Sequence, residues 1–135
     1  MTTQKQENSQ SKINHITAEA IRSSAKLERQ SIDPAFNKWQ SLIELNDDYA
    51  LSVIAGQYYM SVPKHNMPKF EQYVEYEAAF LSRDGFVMFG EIFEGNEFGI
   101  SEHEQVWPYK SMEDIVKMTN MIIDHINKNE GVQNA

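Results

Sequence analysis

Cysteine is absent from the 135-residue chain, which excludes a disulfide framework, a thiolate zinc centre and a cysteine nucleophile. No run of about 18 apolar residues occurs, so no segment reads as a membrane-spanning helix. The opening stretch MTTQKQENSQSKINHITAEA is polar and holds no apolar run of signal-peptide length. These absences fit a cytoplasmic protein in a reducing compartment. Catalytic signatures are missing too: there is no phosphate-cradling glycine loop, G-x-S-x-G elbow, HExxH pair, EF-hand loop or kinase set. Without them the chain reads as a binding protein rather than an enzyme, with no cofactor expected. The sharpest absence is local. Residues 84–107, DGFVMFGEIFEGNEFGISEHEQVW, carry five glutamates after Gly90 and not one Lys or Arg.

What is present suffices for one core. Hydrophobic residues make up 41% of the chain and aromatics 11%, and the length matches a single domain of roughly 100–150 residues. The formal net charge is -8, unevenly placed. Residues 1–40 hold six bases against four acids, and residues 41–135 hold six bases against sixteen acids. The later segment should therefore repel nucleic acid and anionic membrane and attract basic partners.

The domain organisation expected is a disordered polar arm over 1–14, one α+β domain over 15–128 and a frayed tail over 129–135. Thr17 is placed to cap a helix reaching about residue 30, on a thin stripe of Ala18, Ile21, Ala25 and Leu27. Asp33 followed by Pro34 marks another helix start, and Phe36, Trp39, Leu42 and Ile43 recur at helical spacing. After Asp47-Asp48, the stretch YALSVIAGQYYM is read as helix, although its Val, Ile and Tyr also suit a strand. From Phe70 the period becomes two. Asp84-Gly85 and Gly95-Asn96 then divide the segment into three antiparallel strands, about 72–83, 86–94 and 97–106. Ser111 with Asp114 opens a C-terminal amphipathic helix whose stripe is Met112, Ile115, Met118, Thr119, Ile122 and Ile126. The fold class expected is α+β: N-terminal helices, a three-stranded meander and a closing helix on the sheet.

Two-residue turns would fix the register of that meander. One face then carries Val74, Tyr76, Phe80, Phe89, Phe93, Phe98 and Ile100 with Glu91, Glu102 and Glu104; the other carries Leu81, Phe86, Met88 and Ile92 with Glu75, Glu77, Glu94, Glu97 and His103. A middle strand apolar on both sides needs cover on both, and one helix covers one face. Glu94 and Glu97 would also lie opposite each other, an arrangement that costs on the order of 0.2–1 kcal/mol. A rim of glutamates that blunts sheet edges and keeps the segment soluble is the plain explanation. The functional one is a surface kept for a basic partner.

Glu102-His103-Glu104 is the nearest approach to a metal-ligand cluster, but alternation along a strand sends His103 to one face and both glutamates to the other, so no metal site is expected. The leading reading is a non-enzymatic acidic module that inhibits or neutralises a basic partner protein, nucleic-acid-binding proteins being one such class. Glu91, Glu102 and Glu104 would supply charge, with Tyr76 and Phe93 as aromatic anchors. Alternatives are a small enzyme or small-molecule binder using Glu91, Glu102 and Tyr76 on the sheet, and a self-associating protein whose homodimer covers the exposed face.

Overall fold

The computed structural model describes residues 12–29, 33–83, 85–86, 90–93, 98, 100 and 105–134, with backbone only for 86, 90, 91 and 130–134. The class is α+β. Six strands form one antiparallel sheet: β1 (Ala25–Glu28), β2 (Lys38–Glu44), β3 (Tyr49–Ala55), β4 (Tyr76–Ser82), β5 (Gly85–Phe86) and β6 (Val106–Lys110). They run in the order β1-β2-β3-β4-β5, and β6 joins the same edge of β4 as β5, further along. Among the described residues two α-helices accompany the sheet, α1 (Ala18–Ser23) and α2 (Met112–Asn134).

Three expected helices give way to strands or short turns, for one physical reason. Thr17 does cap α1, its Oγ1 accepting the Ala20 N–H at 3.1 Å, but the helix stops at Ser23 because Ala25–Glu28 pairs with β2. Asp33 does start a helical turn, its carboxylate accepting from the Ala35 N–H at 3.0 Å, yet only Pro34–Phe36 is helical, as a 3-10 turn. Trp39 and Ile43 then sit in β2, and YALSVIA forms β3. Strand β2 hydrogen-bonds on both edges, to β1 and to β3. Such two-sided pairing overrides a weak helical spacing in a segment rich in β-branched and aromatic residues.

The expected meander is also corrected. Gly85 has φ +123°, as its turn position requires, but Ser82 pairs with Gly85 and Leu81 with Phe86, two residues away from the expected register. A shift of two keeps every side chain on its face. The expected strand 86–94 is met at Phe86, in β5, and not at Gly90–Phe93, which is a 3-10 turn. The third strand is Val106–Lys110 and pairs with β4, which is thus the middle strand of the three. The expected Glu94–Glu97 opposition lies outside the described residues.

Alternation assigns the two faces. Trp39, Ser41 and Ile43, Leu51, Val53 and Ala55, and Ala78 and Phe80 share the inner face, where the core forms. Helix α2 lays Met112, Ile115, Met118, Thr119, Ile122 and Ile126 against this side, all buried, with the Asp114 N–H donating to Ser111 Oγ at its start. Phe93, Phe98, Ile100 and Trp107 close the same core, Phe93 meeting Phe98 and Trp107 edge to face at 5.5 and 5.9 Å. Tyr76 and Ile21 belong to it as well, so both helices serve one face.

Residues 12–14, read above as arm, are seated on α2. Ile13 is only 3% exposed. Two asparagines hold the segment by imitating a neighbouring strand. Asn127 accepts the Ile13 N–H and donates to its carbonyl, both at 2.9 Å; Asn120 does the same for Ile16 at 2.8 and 3.2 Å. The spacing explains the fit. Seven helical residues rise about 10.5 Å, and three residues of extended chain cover about 10 Å. His15 Nε2 and Asp124 Oδ1, 2.7 Å apart between the clamps, add an exposed pair of small energetic value. The helix backbone continues past 129, where a tail was expected, to Asn134.

Replacing Asn120 or Asn127 by Ala removes two backbone-directed bonds and leaves a half-buried peptide group unpaired, a loss of roughly 1–3 kcal/mol. Hydrogen exchange at the Ile13 and Ile16 amides should speed up in each variant while β3 and β4 keep their protection. Unchanged exchange at both amides would refute the clamp.

Candidate functional site

Among the described residues the outer face of the sheet receives less cover than the inner one, and Leu42 is its exposed point. Register aligns Gln40, Ile54 and Glu77 in one row, Leu42, Ser52, Ala79 and Val106 in the next, and Glu44, Ala50 and Leu81 in the third. The middle row is apolar or small. Leu42 stands 53% exposed there, and no described helix contributes its buried residues to this side. Gln40 Nε2 donates to Ser52 Oγ at 3.2 Å, and the Glu77 carboxylate accepts the Met60 N–H at 3.0 Å, which ties the loop after β3 to the sheet. Glu77 is therefore structural.

At one end of this face lies an open groove of about 210 Å³. Leu42, Ala50 and Leu81 line it with Glu44, Asp47, Asp48 and Arg83. The β2–β3 turn that shapes it is tightly determined: Asn46 Oδ1 accepts the N–H of Asp48 at 2.8 Å and of Tyr49 at 2.9 Å, and the Leu45 N–H donates to the Tyr49 carbonyl at 2.8 Å. The Arg83 N–H reaches the Asp48 carbonyl at 2.8 Å and joins the β4 end to the same turn. The described ion pairs are His15–Asp124 and Lys38–Glu28, so Glu44, Asp47 and Asp48 have no basic partner among the described residues.

Near the loop before β4 sits a second, aromatic set. Phe36 and Tyr58 stack at 5.0 Å and are both about half exposed. Tyr109, also exposed, has φ +55°, with the Lys64 ammonium 5.2 Å from its ring. A left-handed tyrosine is uncommon and is held here by the N–H bond to the Met60 carbonyl at 3.1 Å. Val62 and Val74 are exposed as well.

The residues singled out from the sequence fare differently. Glu102 and Glu104 lie outside the described residues, and Glu91 is described by backbone only, in the 3-10 turn. Tyr76 and Phe93 are 1% and 2% exposed, so neither ring can meet a partner as an anchor. Tyr76 serves the core instead: its hydroxyl donates to the carbonyls of Phe70 and Tyr73 at 2.9 and 3.0 Å, and its ring packs on Phe70 at 4.8 Å. Among the described residues no three His, Asp or Glu side chains converge as metal ligands, and no helix is long and apolar enough to cross a membrane. Comparison supplies no family. No protein-family model matches the chain, and no curated protein or solved structure is detectably similar to it.

The exposed Leu42, Tyr58 and Tyr109 were not singled out from the sequence as surface residues. Leu42 stood in a spacing that read as helix, and the two tyrosines lie beside turns and prolines. Only the pairing of β2, β3 and β4 brings Leu42, Ala50 and Leu81 together.

Burial pushes the Tyr76 hydroxyl up to about 12, and it raises Tyr73 as well, partly offset there by the Met67 N–H that bonds its oxygen. For Tyr76 the folded state holds its proton more tightly than the unfolded chain does, near 10. Its stabilising contribution is therefore complete below pH 10 and disappears as pH rises from 10 to about 12. Denaturant midpoints measured across this window should fall for the native chain and fall less for Tyr76→Phe; parallel curves would contradict the assignment.

Proposed function

We propose that the protein is a cytoplasmic, non-enzymatic binding module that lays its uncovered sheet face on a basic surface of a partner protein and neutralises it. One observation carries this reading: Leu42 stands half exposed on the outer face beside carboxylates that no described cation pairs with. Apolar area supplies the gain on docking, and the unpaired acids supply steering and selection by sign. Glu91, Glu102 and Glu104 supply further charge in this reading, from a segment whose sequence is free of Lys and Arg. The aromatic anchors in this reading are Phe36, Tyr58 and Tyr109, which are exposed, in place of Tyr76 and Phe93. The sign of the field disfavours direct contact with nucleic acid or an anionic membrane.

The small-molecule alternative has less support. The groove is below the roughly 300–1,000 Å³ of small-molecule sites, and Tyr76 is enclosed. Self-association would use the same open face, with a second copy as the cover.

The test is capture from host lysate by the native chain and by Leu42→Arg, at low and at high salt. The expected outcome is one basic protein held at low salt, shed at high salt, and bound at least tenfold more weakly by the variant, about 1.4 kcal/mol. Joint reversal of Glu91, Glu102 and Glu104 to Lys should also weaken binding without unfolding the chain. If only further copies of the chain are retained, the homodimer replaces this proposal.

A further inference from the structure

We infer that the groove at the β2–β3 turn receives one arginine side chain of the partner, an inference that rests on the binding reading above. The floor and the rim ask for different halves of one group. Leu42, Ala50 and Leu81 offer an apolar bed of a kind that the methylene stem of a long cationic side chain covers. Glu44, Asp47 and Asp48 stand at the rim, and against them Arg83 is the one base among the described lining residues, which together keep a formal charge of -2. An anionic or neutral polar ligand would leave that charge unmatched.

Size narrows the choice. At about 210 Å³ the groove holds a side chain rather than a cofactor or a drug-sized molecule. Preorganisation narrows it further. The Asn46 carboxamide and the Arg83 N–H hold the turn by backbone bonds, so the rim is in place before anything docks. The side chains of Asp47 and Asp48 make no hydrogen bond with any described residue, which leaves their oxygens available. Arginine suits this rim better than lysine. Its planar guanidinium engages two carboxylates at once through parallel N–H donors and gives up its hydration more readily than a compact ammonium does.

The inference is tested on the full chain by nitrogen–proton NMR, titrating N-acetyl-arginine amide at constant ionic strength. N-acetyl-lysine amide and N-acetyl-norleucine amide serve as comparators. Saturating shifts are expected at the Leu42, Glu44, Ala50 and Leu81 amides with arginine, weaker ones with lysine and none with norleucine. The Asp47→Asn, Asp48→Asn double variant should keep its spectrum elsewhere and bind arginine roughly fivefold more weakly. Equal response to norleucine, shifts spread over all surface acids, or no saturable response would each overturn the inference. Its failure is distinguishable from failure of the binding reading. A partner that Leu42→Arg loses and the double Asn variant keeps would remove the arginine groove alone, whereas a native chain that retains no partner removes the reading itself.

Discussion

An amphipathic helix has one apolar stripe and a sheet has two faces, and much of this molecule follows from that mismatch. The 23-residue α2 covers the inner face, where it meets Leu51, Val53, Ala78 and Phe80. Helix α1 and the segment clamped by Asn120 and Asn127 add their apolar residues to the same side. The inner face is therefore completed several times over, while the outer one relies on small residues. Ser52 and Ala79 are buried there all the same. Leu42 is too large for that solution and stands out. The charge pattern is consistent with this asymmetry. Carboxylates border the open face, where they discourage chance association and favour contact with cations.

Signals that act within a few residues were the ones the sequence displayed faithfully. Thr17, Asp33 and Ser111 each accept the bond that a capping residue should, and Gly85 takes the positive φ its turn needs. The stripe of α2 was legible because it repeats over many turns. What could not be read was how far each element runs, since that is decided by partners remote in sequence. Trp39, Leu42 and Ile43 fit a helical stripe about as well as they fit alternation, and only the edges offered by β1 and β3 settle the choice. Of the apolar set expected on one face, Tyr76, Phe80, Phe93, Phe98 and Ile100 are buried together, Val74 is exposed, and Phe89 lies outside the described residues. At the Leu81–Phe86 pairing side-chain parity survived although the register did not.

The site was less legible than the fold. The acids most conspicuous in sequence fall in residues 84–107, whereas the described groove gathers Glu44, Asp47 and Asp48 with Leu81 and Arg83, which follow more than thirty positions later. No window of the chain contains that juxtaposition; it arises from β3 pairing with β4. Tyr76 misled for a related reason. A tyrosine on an alternating strand reads equally as an exposed anchor or as a core ring whose hydroxyl finds carbonyls, and the 3-10 turn Phe70–Gln72 that helps supply them is not visible as a partner beforehand.

The asparagine clamps bear on the order in which the chain can be assembled. They join residues separated by 114 and 104 positions, so the receiving surface emerges from the ribosome long after the segment it receives. Ile13 and Ile16 are made long before the residues of α2 that give them a place. Until α2 has been synthesised, two isoleucines wait in water beside a nascent sheet whose inner face is also bare. Nascent-chain protection, rather than the stability of the finished fold, is then the step most exposed to error during synthesis.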